Sequence, residues 1–291
     1  MPFSNVLHLD IKDKLRATKK AGLSALSIQP QEVKRIIQAN RISLQDLKSM
    51  ADDMGVVFSR IDPLCTWVPQ WQAINFDQKF NEEHSTSPCE FFEIATNLGA
   101  STLSLNAIFP SNLYSIDELA HYFYLIDQMA NGHGLICDLE PIPMWRIKTI
   151  EEAWKIIQMS GSKYGGLVFD SVHFIRSHSS LNMLDVVPAE RIHSVQISDG
   201  LLQLGDNVSL EEDCFFRKWP GDGEFPLIEM LQYLQNKGAL TELCAEVFSF
   251  ENKGKSLEQI AYLSYYSIEK LLRKAKIDKN ELNNSITLKK F

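Results

Sequence analysis

The chain has 291 residues, of which 45% are hydrophobic and 23% are charged, a composition typical of a globular protein with one large core. Its net charge of −8 argues against nucleic acid as a partner, because phosphate binding depends on a basic surface. No run of 18 apolar residues predicts a membrane span. The five cysteines form no C-x-x-C pair and are interpreted as reduced thiols, which favours a cytoplasmic protein.

Helical patterns alternate with short apolar runs along the chain. In chain order, helix 10–21 precedes LSALSI, 43–54 precedes VVFSRI, 87–98 precedes STLSLNAIF, 115–130 precedes LICDLE, 149–159 precedes GLVFD, the weaker pattern 181–187 precedes IHSVQISD, and 227–236 precedes ELCAEVF. Gly or Asn-Gly ends most of these helices, as expected at helix C-termini.

Four helix starts carry the capping-box pattern, in which a Ser or Thr and a Glu or Gln three residues later satisfy each other's backbone N–H. The pairs are Ser87 with Glu90, Ser115 with Glu118, Thr149 with Glu152, and Ser256 with Gln259. The last pair predicts a closing helix over residues 256–274.

Apolar runs at a spacing of about 30 residues predict parallel strands that are buried on both faces. An open doubly wound sheet would usually carry a glycine-rich phosphate turn after its first strand, and neither G-x-G-x-x-G nor G-x-x-x-x-G-K-[ST] occurs. Seven runs and a first strand at residues 3–9 make eight. The prediction is therefore an α/β fold, a (β/α)8 TIM barrel, as a single domain over residues 1–291, with residues 251–291 as closing helix and C-terminal tail.

Polar side chains end the last four predicted strands: Glu140 in LICDLE, Asp170 in GLVFD, Gln196 in SVQIS, and Glu246 in CAEVF. Such strand ends share one mouth in a barrel and lie about 4.8 Å apart, so these side chains can converge on one ion. Each carboxylate alone could instead cap a helix. Three carboxylates and one amide form an all-oxygen set, which suits Mg²⁺ or Mn²⁺ better than Co²⁺ or Zn²⁺, although these stay open.

The motifs Leu-Glu140, Phe-Asp170-Ser-Val-His173, Val-Gln196-Ile-Ser-Asp-Gly, Arg217 before Pro-Gly-Asp-Gly, and Ala-Glu246-Val-Phe-Ser resemble the sugar-phosphate isomerase/epimerase family of xylose-isomerase-like TIM barrels. The resemblance implies that Glu140, Asp170, Glu246 and a residue of the seventh strand bind one divalent metal. Ketose epimerases have His at that fourth position, whereas Gln196 is similar to the glutamine of bacterial 3-dehydroshikimate dehydratases. The chain also departs from many relatives at Gln29, where they have Glu.

Further roles follow from the same resemblance. His173 would contact substrate hydroxyls or transfer a proton, and Arg217 would bind substrate. Trp67, after the third predicted strand, would wall the pocket, or alternatively cover the barrel rim. The expected partner is a small polyhydroxylated molecule, without nucleic acid or membrane, and the resemblance allows a homo-oligomer.

The favoured function is a metal-dependent isomerase or epimerase that removes a proton next to the carbonyl of a sugar, sugar phosphate or related polyhydroxy compound, with Glu140 and Glu246 as base and acid. One alternative is a dehydratase of the 3-dehydroshikimate or inosose type, in which His173 takes the proton. A multi-zinc phosphodiesterase of the apurinic-endonuclease kind would need several His at strand ends, and only His173 qualifies. An inactive barrel that serves as a binding module is the remaining alternative.

Overall fold

Seven parallel strands form one curled sheet in a computed structural model that describes residues 1–72, 76–240 and 242–278. Each strand pairs with the next one along the chain, and the strands are β1 (Ala25–Ile28), β2 (Val57–Leu64), β3 (Thr102–Asn106), β4 (Ile136–Glu140), β5 (Gly166–Asp170), β6 (Ile192–Ile197) and β7 (Leu243–Ala245). All five residues of β5 are buried, as expected for a parallel strand covered on both faces. The seven apolar runs are thus confirmed as strands.

Helices follow the strands and cover the outside of the sheet. They are α1 (Ile11–Lys20), α2 (Pro30–Asn40), α3 (Leu44–Asp53), α4 (Gln78–Glu83), α5 (Pro88–Leu98), α6 (Ile116–Gly132), α7 (Ile150–Ser160), α8 (Ser171–Arg176), α9 (Leu210–Asp213), α10 (Leu227–Lys237) and α11 (Leu257–Ala275). Residues 181–186, predicted as weakly helical, form a 3-10 helix. The predicted closing helix is α11, and residues 279–291 of the predicted tail lie outside the described residues.

Two of the four predicted capping boxes are complete, at Ser115 and Ser256. At Ser87 and Thr149 only the first half forms, because each side chain accepts from the third helical N–H without a return bond. The Glu152 carboxylate instead accepts from Lys148 N and from the Arg146 side chain. The box predictions at these two helices were therefore wrong in their second bond, although both helices begin where expected.

The eighth strand predicted at residues 3–9 is wrong, since Phe3–Val6 is a 3-10 helix. This segment nevertheless bridges the two edges of the sheet. Ser27 N on β1 donates to Met1 O at 3.0 Å. On the opposite edge, Asn5 Nδ2 donates to Ala245 O at 2.8 Å and Val247 N donates to Asn5 Oδ1 at 2.8 Å. One buried amide side chain thus supplies the hydrogen bonds that a strand backbone would have supplied.

A polar layer lies inside the barrel beneath its mouth. Arg60 donates to Asp138 and to Ser104 (3.1 Å), and the imidazole of His193 bonds the other oxygen of Asp138. Gly166 makes room for that imidazole, because a Cβ there would lie 2.2 Å from His193 Nδ1. Side chains of a strand alternate between its two faces, so the residues two positions later point the same way. Glu140 on β4 therefore lies one layer above Asp138.

Candidate functional site

A cavity of about 300 Å³ opens at the C-terminal ends of the strands. Its polar described lining consists of Gln29, Asp62, Glu83, His84, Asn106, Glu140, His173, Glu211, Arg217 and Glu246. A larger groove of about 820 Å³ lies beside it, between residues 199–222 and the segment after β7, and shares only Arg217 with the cavity. That groove contains none of the predicted metal ligands, so the chemistry is sought in the smaller cavity.

Glu140, Asp170 and His173 bring one ligand atom each to within 4.8 Å of one another. Glu140 is the last residue of β4, and Asp170 is both the last residue of β5 and the N-cap of α8. Because His173 N donates to Asp170 Oδ1 at 3.0 Å, this cap fixes the first turn of α8. The turn holds the imidazole with Nε2 at 3.7 Å from Glu140 Oε1.

Arg217 inserts its guanidinium among these groups. Nη1 donates to Asp170 Oδ2 at 2.7 Å and lies 3.7 Å from Glu246 Oε2, while Nη2 lies 3.2 Å from His173 Nε2. The ring of Phe248 covers the guanidinium at 5.4 Å from Cζ, and the side chain is buried. Arg217 is therefore the positive charge that faces the carboxylates of the mouth.

Glu246 and Gln196 complete the set of predicted ligands. Glu246 directly follows β7, lines the cavity, and its N–H donates to Ile197 O at 3.1 Å. Gln196 on β6 lies in register with Asp170 on β5, so both side chains leave the sheet on the same face. The amide oxygen of Gln196 is buried and has no hydrogen-bond partner among the described residues.

Burial acts differently on the titratable groups of the mouth. Burial and the charges of Asp62 and Asp170 raise the pKa of Glu140 well above its ordinary value, and burial with the charge of Glu140 does the same for the pKa of Glu246, despite Arg217. For Asp170 burial is outweighed by Arg217, which holds that pKa below its ordinary value. Burial lowers the pKa of His173 to about 4, so its imidazole is neutral at physiological pH.

These residues fit a divalent cation. Glu140, Asp170 and Glu246 together carry three carboxylates against the single guanidinium of Arg217, which leaves two negative charges uncompensated when all are ionised. Buried charge without a partner is costly, and the raised pKa values of the two glutamates express that cost. The unpartnered carbonyl oxygen of Gln196 adds a neutral oxygen donor, and His173 adds a nitrogen that would widen the choice beyond the hard ions.

Trp67 was predicted to wall the pocket or, alternatively, to cover the barrel rim. Its side chain is 5% exposed, donates from Nε1 to Asn106 O at 3.0 Å, and packs against Phe109. Trp67 is not among the described residues that line the cavity, and its contact with a substrate stays a prediction. Trp145, after β4, lines the cavity instead.

Sequence reasoning missed Asp62 and Asn106. Both lie near the ends of their strands and line the cavity beside Gln29. Burial, partly offset by the charge of Arg60, raises the pKa of Asp62 to about 6. With its amide nitrogen turned towards Glu140, Asn106 donates to Glu140 Oε2 at 3.3 Å. The signal for both was the strand-end position, which was read only for the last four strands.

Asp199, the aspartate of the Gln196 motif, stabilises the loop that carries Arg217. Its carboxylate accepts from the backbone N–H groups of Gly200, Gly221 and Phe225 at 2.9–3.0 Å. A Cβ at Gly223 would lie 2.3 Å from Asp199 Oδ1, so the second glycine of Pro-Gly-Asp-Gly has no room for a side chain. The loop therefore closes over a buried carboxylate and does not present it to the cavity.

A curled parallel sheet with convergent carboxylates at its mouth defines the class as a TIM barrel with a polar, ligand-binding rim. The sequence profile of the xylose isomerase-like TIM barrel family matches residues 15–266. The chain belongs to this family. In the part of the chain that the structure describes, no helix combines the length and apolar character needed to cross a bilayer.

Similar proteins include enzymes of two classes. A 3-dehydroshikimate dehydratase of Pseudomonas aeruginosa is 27% identical over 157 residues, which cover 54% of this chain and 23% of that protein. An inosose isomerase of Halalkalibacterium halodurans is 28% identical over 136 residues, which cover 46% of this chain and 47% of that protein. The matches thus span about a quarter and about half of these relatives.

Among solved structures, the IOLI protein with a bound zinc atom has a TM-score of 0.80 at 20% identity, covering 94% of this chain and 98% of that chain. This likeness shows the fold. The two relatives named above are enzymes, a dehydratase and an isomerase.

Proposed function

We propose that this chain is a divalent-metal-dependent isomerase or epimerase of a polyhydroxy carbonyl compound. The observation that carries the proposal is the pair Glu140 and Glu246, two buried carboxylates from different strands that line one cavity. Both have raised pKa values. Two such groups on either side of one substrate let one remove a proton next to the carbonyl while the other returns a proton on the opposite face.

Glu140, Asp170, Gln196 and Glu246 would hold the cation, and the close approach of His173 to Glu140 and Asp170 makes its imidazole a further donor. A bound divalent ion would supply Lewis-acid polarisation of the substrate carbonyl, which makes the neighbouring proton more acidic. The neutral Gln196 oxygen supports this proposal, because its burial without a protein partner is costly unless something else satisfies it.

The proton transfers fall to Glu140 and Glu246. In its ionised form one carboxylate takes the proton from carbon, and the other, protonated, returns one to the substrate. Burial makes both groups more basic than an exposed glutamate, and proton transfer is most effective when the pKa of the catalyst lies near the working pH. The hydrogen bond from Asn106 to Glu140 Oε2, at 3.3 Å, would hold the Glu140 side chain in one orientation.

His173 and Arg217 would orient the substrate. The neutral imidazole of His173 can accept from or donate to a hydroxyl group, and its Nδ1 is buried with no partner among the described residues. Arg217 would direct a guanidinium N–H at a substrate oxygen while its contacts with Asp170 and Glu246 hold it in place. The rings of Trp145, Phe215 and Phe248 also line the cavity and would limit the access of water to a bound substrate.

Dehydration is the second candidate. The dehydratase named among the similar proteins matches more than half of this chain, and the low pKa of His173 leaves a neutral imidazole that can serve as a base. In that reaction His173 would take the proton next to the carbonyl, and the hydroxyl group on the adjacent carbon would leave as water.

The experiment is solvent deuterium exchange with Mn²⁺-loaded protein and an inosose or a ketohexose, in wild type and in Glu140→Gln, Glu246→Gln and His173→Ala. Loss of exchange by about 10²-fold or more in the glutamate variants, with isomeric product and no loss of water, supports the proposal. Glu93→Gln, on the exposed face of α5, is the matched control. Undiminished exchange in all three variants overturns it, whereas a conjugated enone product that depends on His173 assigns the dehydratase.

A further inference from the structure

The charges that line the cavity favour some substrates over others. The classes to be distinguished are uncharged polyhydroxy carbonyl compounds, sugar phosphates and cyclic hydroxy acids. The described lining of the cavity carries five acidic side chains, which are Asp62, Glu83, Glu140, Glu211 and Glu246. Within that same described lining Arg217 is the single Lys or Arg. Glu140 and Glu246 would face the proposed cation, and Arg35 pairs with Glu83 at 2.5 Å. Beyond the metal ligands, an anionic substrate would therefore meet the charges of Asp62 and Glu211 and no free Lys or Arg of the described lining.

Arg217 is not available to a substrate anion. Its Nη1 bonds Asp170 at 2.7 Å and lies 3.7 Å from Glu246, and Nη2 lies 3.2 Å from His173. A phosphate or carboxylate is normally held by a guanidinium fork that is free to bind it in a bidentate way. One guanidinium already shared between two carboxylates does not provide that fork.

Other protein groups that commonly bind anions are a helix N-terminus, histidines and lysines, and here they are engaged by other protein groups, uncharged or distant from the cavity. The N-terminus of α8, which faces the cavity, is capped by Asp170, so its N–H groups are not free for a phosphate. His173 Nε2 already lies 3.2 Å from Arg217 Nη2 and 3.7 Å from Glu140 Oε1, and burial lowers the pKa of His84. Lys148 lines a separate crevice of about 10 Å³, which has room for about one water at most and not for a phosphate or carboxylate group.

The wall at the ends of β1 and β2 is suited to hydroxyl groups. Asp62 is 4% exposed and lines the cavity beside Gln29 and Trp145. A carboxylate accepts two or more hydrogen bonds, an amide both donates and accepts, and an indole offers an apolar face for C–H groups. Asp62 and Gln29 belong to strands other than those that carry the predicted metal ligands, so they can contact a part of the substrate away from its reacting carbons.

We infer that the substrate is an uncharged polyhydroxy carbonyl compound, such as a free ketose or an inosose, with Asp62 accepting a hydrogen bond from one of its non-reacting hydroxyl groups. This inference rests on the proposed function for the site and narrows it, because it excludes sugar phosphates and cyclic hydroxy acids. A volume of about 300 Å³ is at the lower end of ligand pockets and accommodates one small molecule.

The first test measures binding without turnover. Calorimetry with Mn²⁺-loaded protein compares hexitols with their 6-phosphates, and cyclohexane polyols with polyhydroxy cyclohexane carboxylates. We expect the uncharged member of each pair to bind at least about tenfold more tightly, a difference of about 1.4 kcal/mol. Equal or tighter binding of either anionic member overturns the inference.

The second test uses variants. Asp62→Asn should raise KM for the uncharged substrate about tenfold, the loss expected for a hydrogen bond to a charged group, with kcat changed less than about threefold. Asp53→Asn, on the exposed surface of α3, is the control. Glu211→Lys places a cation on the lining and should improve binding of the phosphate several-fold, whereas Glu93→Lys should not. An unchanged KM in a folded Asp62→Asn protein contradicts the role of Asp62.

The two proposals fail in different ways. Binding of uncharged polyols without turnover of any carbonyl compound would refute the isomerase proposal and leave the charge selectivity standing. Efficient turnover of a sugar phosphate or of a cyclic hydroxy acid would support carbonyl chemistry and refute the selectivity for uncharged substrates.

Discussion

The charge balance of the mouth predicts that a divalent cation stabilises the fold in a pH-dependent way. Glu140, Asp170 and Glu246 face one guanidinium, that of Arg217. Burial and neighbouring carboxylates raise the pKa values of Glu140 and Glu246. The perturbation is therefore the removal of divalent ions by a chelator, followed by titration with Mn²⁺.

The sign follows from proton linkage. With raised pKa values, the folded, cation-free chain binds protons at Glu140 and Glu246 more tightly than the unfolded chain does. The resulting contribution to stability is complete below the ordinary glutamate pKa of about 4.3 and is lost as pH rises through the raised values. A cation favours the ionised carboxylates, so its stabilising effect should grow over the same range of pH.

The magnitude follows from mass action. A ligand at 100 times its Kd stabilises the folded state by about 2.7 kcal/mol. For a chain of this size, with about 2–4 °C of Tm per kcal/mol, that predicts an increase in Tm of about 5–10 °C. Thermal unfolding followed by circular dichroism between pH 5 and pH 8, with and without Mn²⁺, measures the shift at each pH.

Glu140→Gln separates this explanation from nonspecific ion effects. The variant removes one buried negative charge, so without cation it should be more stable than the wild type at pH 7.5, and it should lose most of the Mn²⁺-induced increase in Tm. Glu93→Gln should behave as wild type. Equal Mn²⁺ shifts in wild type and Glu140→Gln, or a shift that shrinks as pH rises, would refute the reasoning.

Three further predictions concern the framework around the site. Asn5→Ala leaves Ala245 O and Val247 N unpaired, so it should lower the free energy of unfolding, measured in urea titrations, by about 2–4 kcal/mol. A loss below about 0.5 kcal/mol would contradict closure by Asn5. Burial alone would lower the pKa of His193, but Asp138 raises it above its ordinary value. The destabilisation by His193→Gln should therefore be largest below about pH 6.5 and shrink as pH rises through the folded pKa. A difference in unfolding free energy between wild type and variant that grows with pH would contradict this prediction. Gly223→Ala should lower both Tm and kcat/KM, because its Cβ would lie 2.3 Å from Asp199 Oδ1, and an unchanged Tm would show that the loop yields freely.

Much of the fold was predictable from the sequence because its signals are local. An apolar run that follows a capped helix and a glycine identifies a buried parallel strand, and all seven such runs are strands. The helix over Pro30–Asn40 escaped notice because it directly follows the strand that ends at Ile28 and lacks a capping side chain. The error at residues 3–9 has a different origin. Closure of the sheet depends on the side chain of Asn5, which bonds residues 240 and 242 positions away, and no local pattern reports such a bond.

The candidate site also contains residues that the sequence predicts and residues that it does not. Asp170 and Gln196 are register partners and Glu140 ends its own strand, so their position at a common mouth follows from the parallel order of the strands. Asp62 directly follows the predicted run VVFSRI, but the strand-end argument for metal ligands was applied only to the last four strands. Whether Trp67 walls the pocket or covers the rim depends on the path of the loop after its strand, which sequence periodicity does not determine.

Arg217 was identified from its sequence position, but its role depends on contacts that only the structure reveals. Its sequence position before Pro-Gly-Asp-Gly suggested a substrate contact, yet its strongest bond is with Asp170, 47 residues earlier. That bond lowers the pKa of Asp170 while Glu140 and Glu246 keep raised values. One arginine thus keeps one carboxylate ionised and leaves two basic ones, which is the division of roles that metal binding and proton transfer at a single cavity would require. It also leaves no free cation in the described lining for a substrate anion, so the same contact that supports the chemistry favours an uncharged substrate.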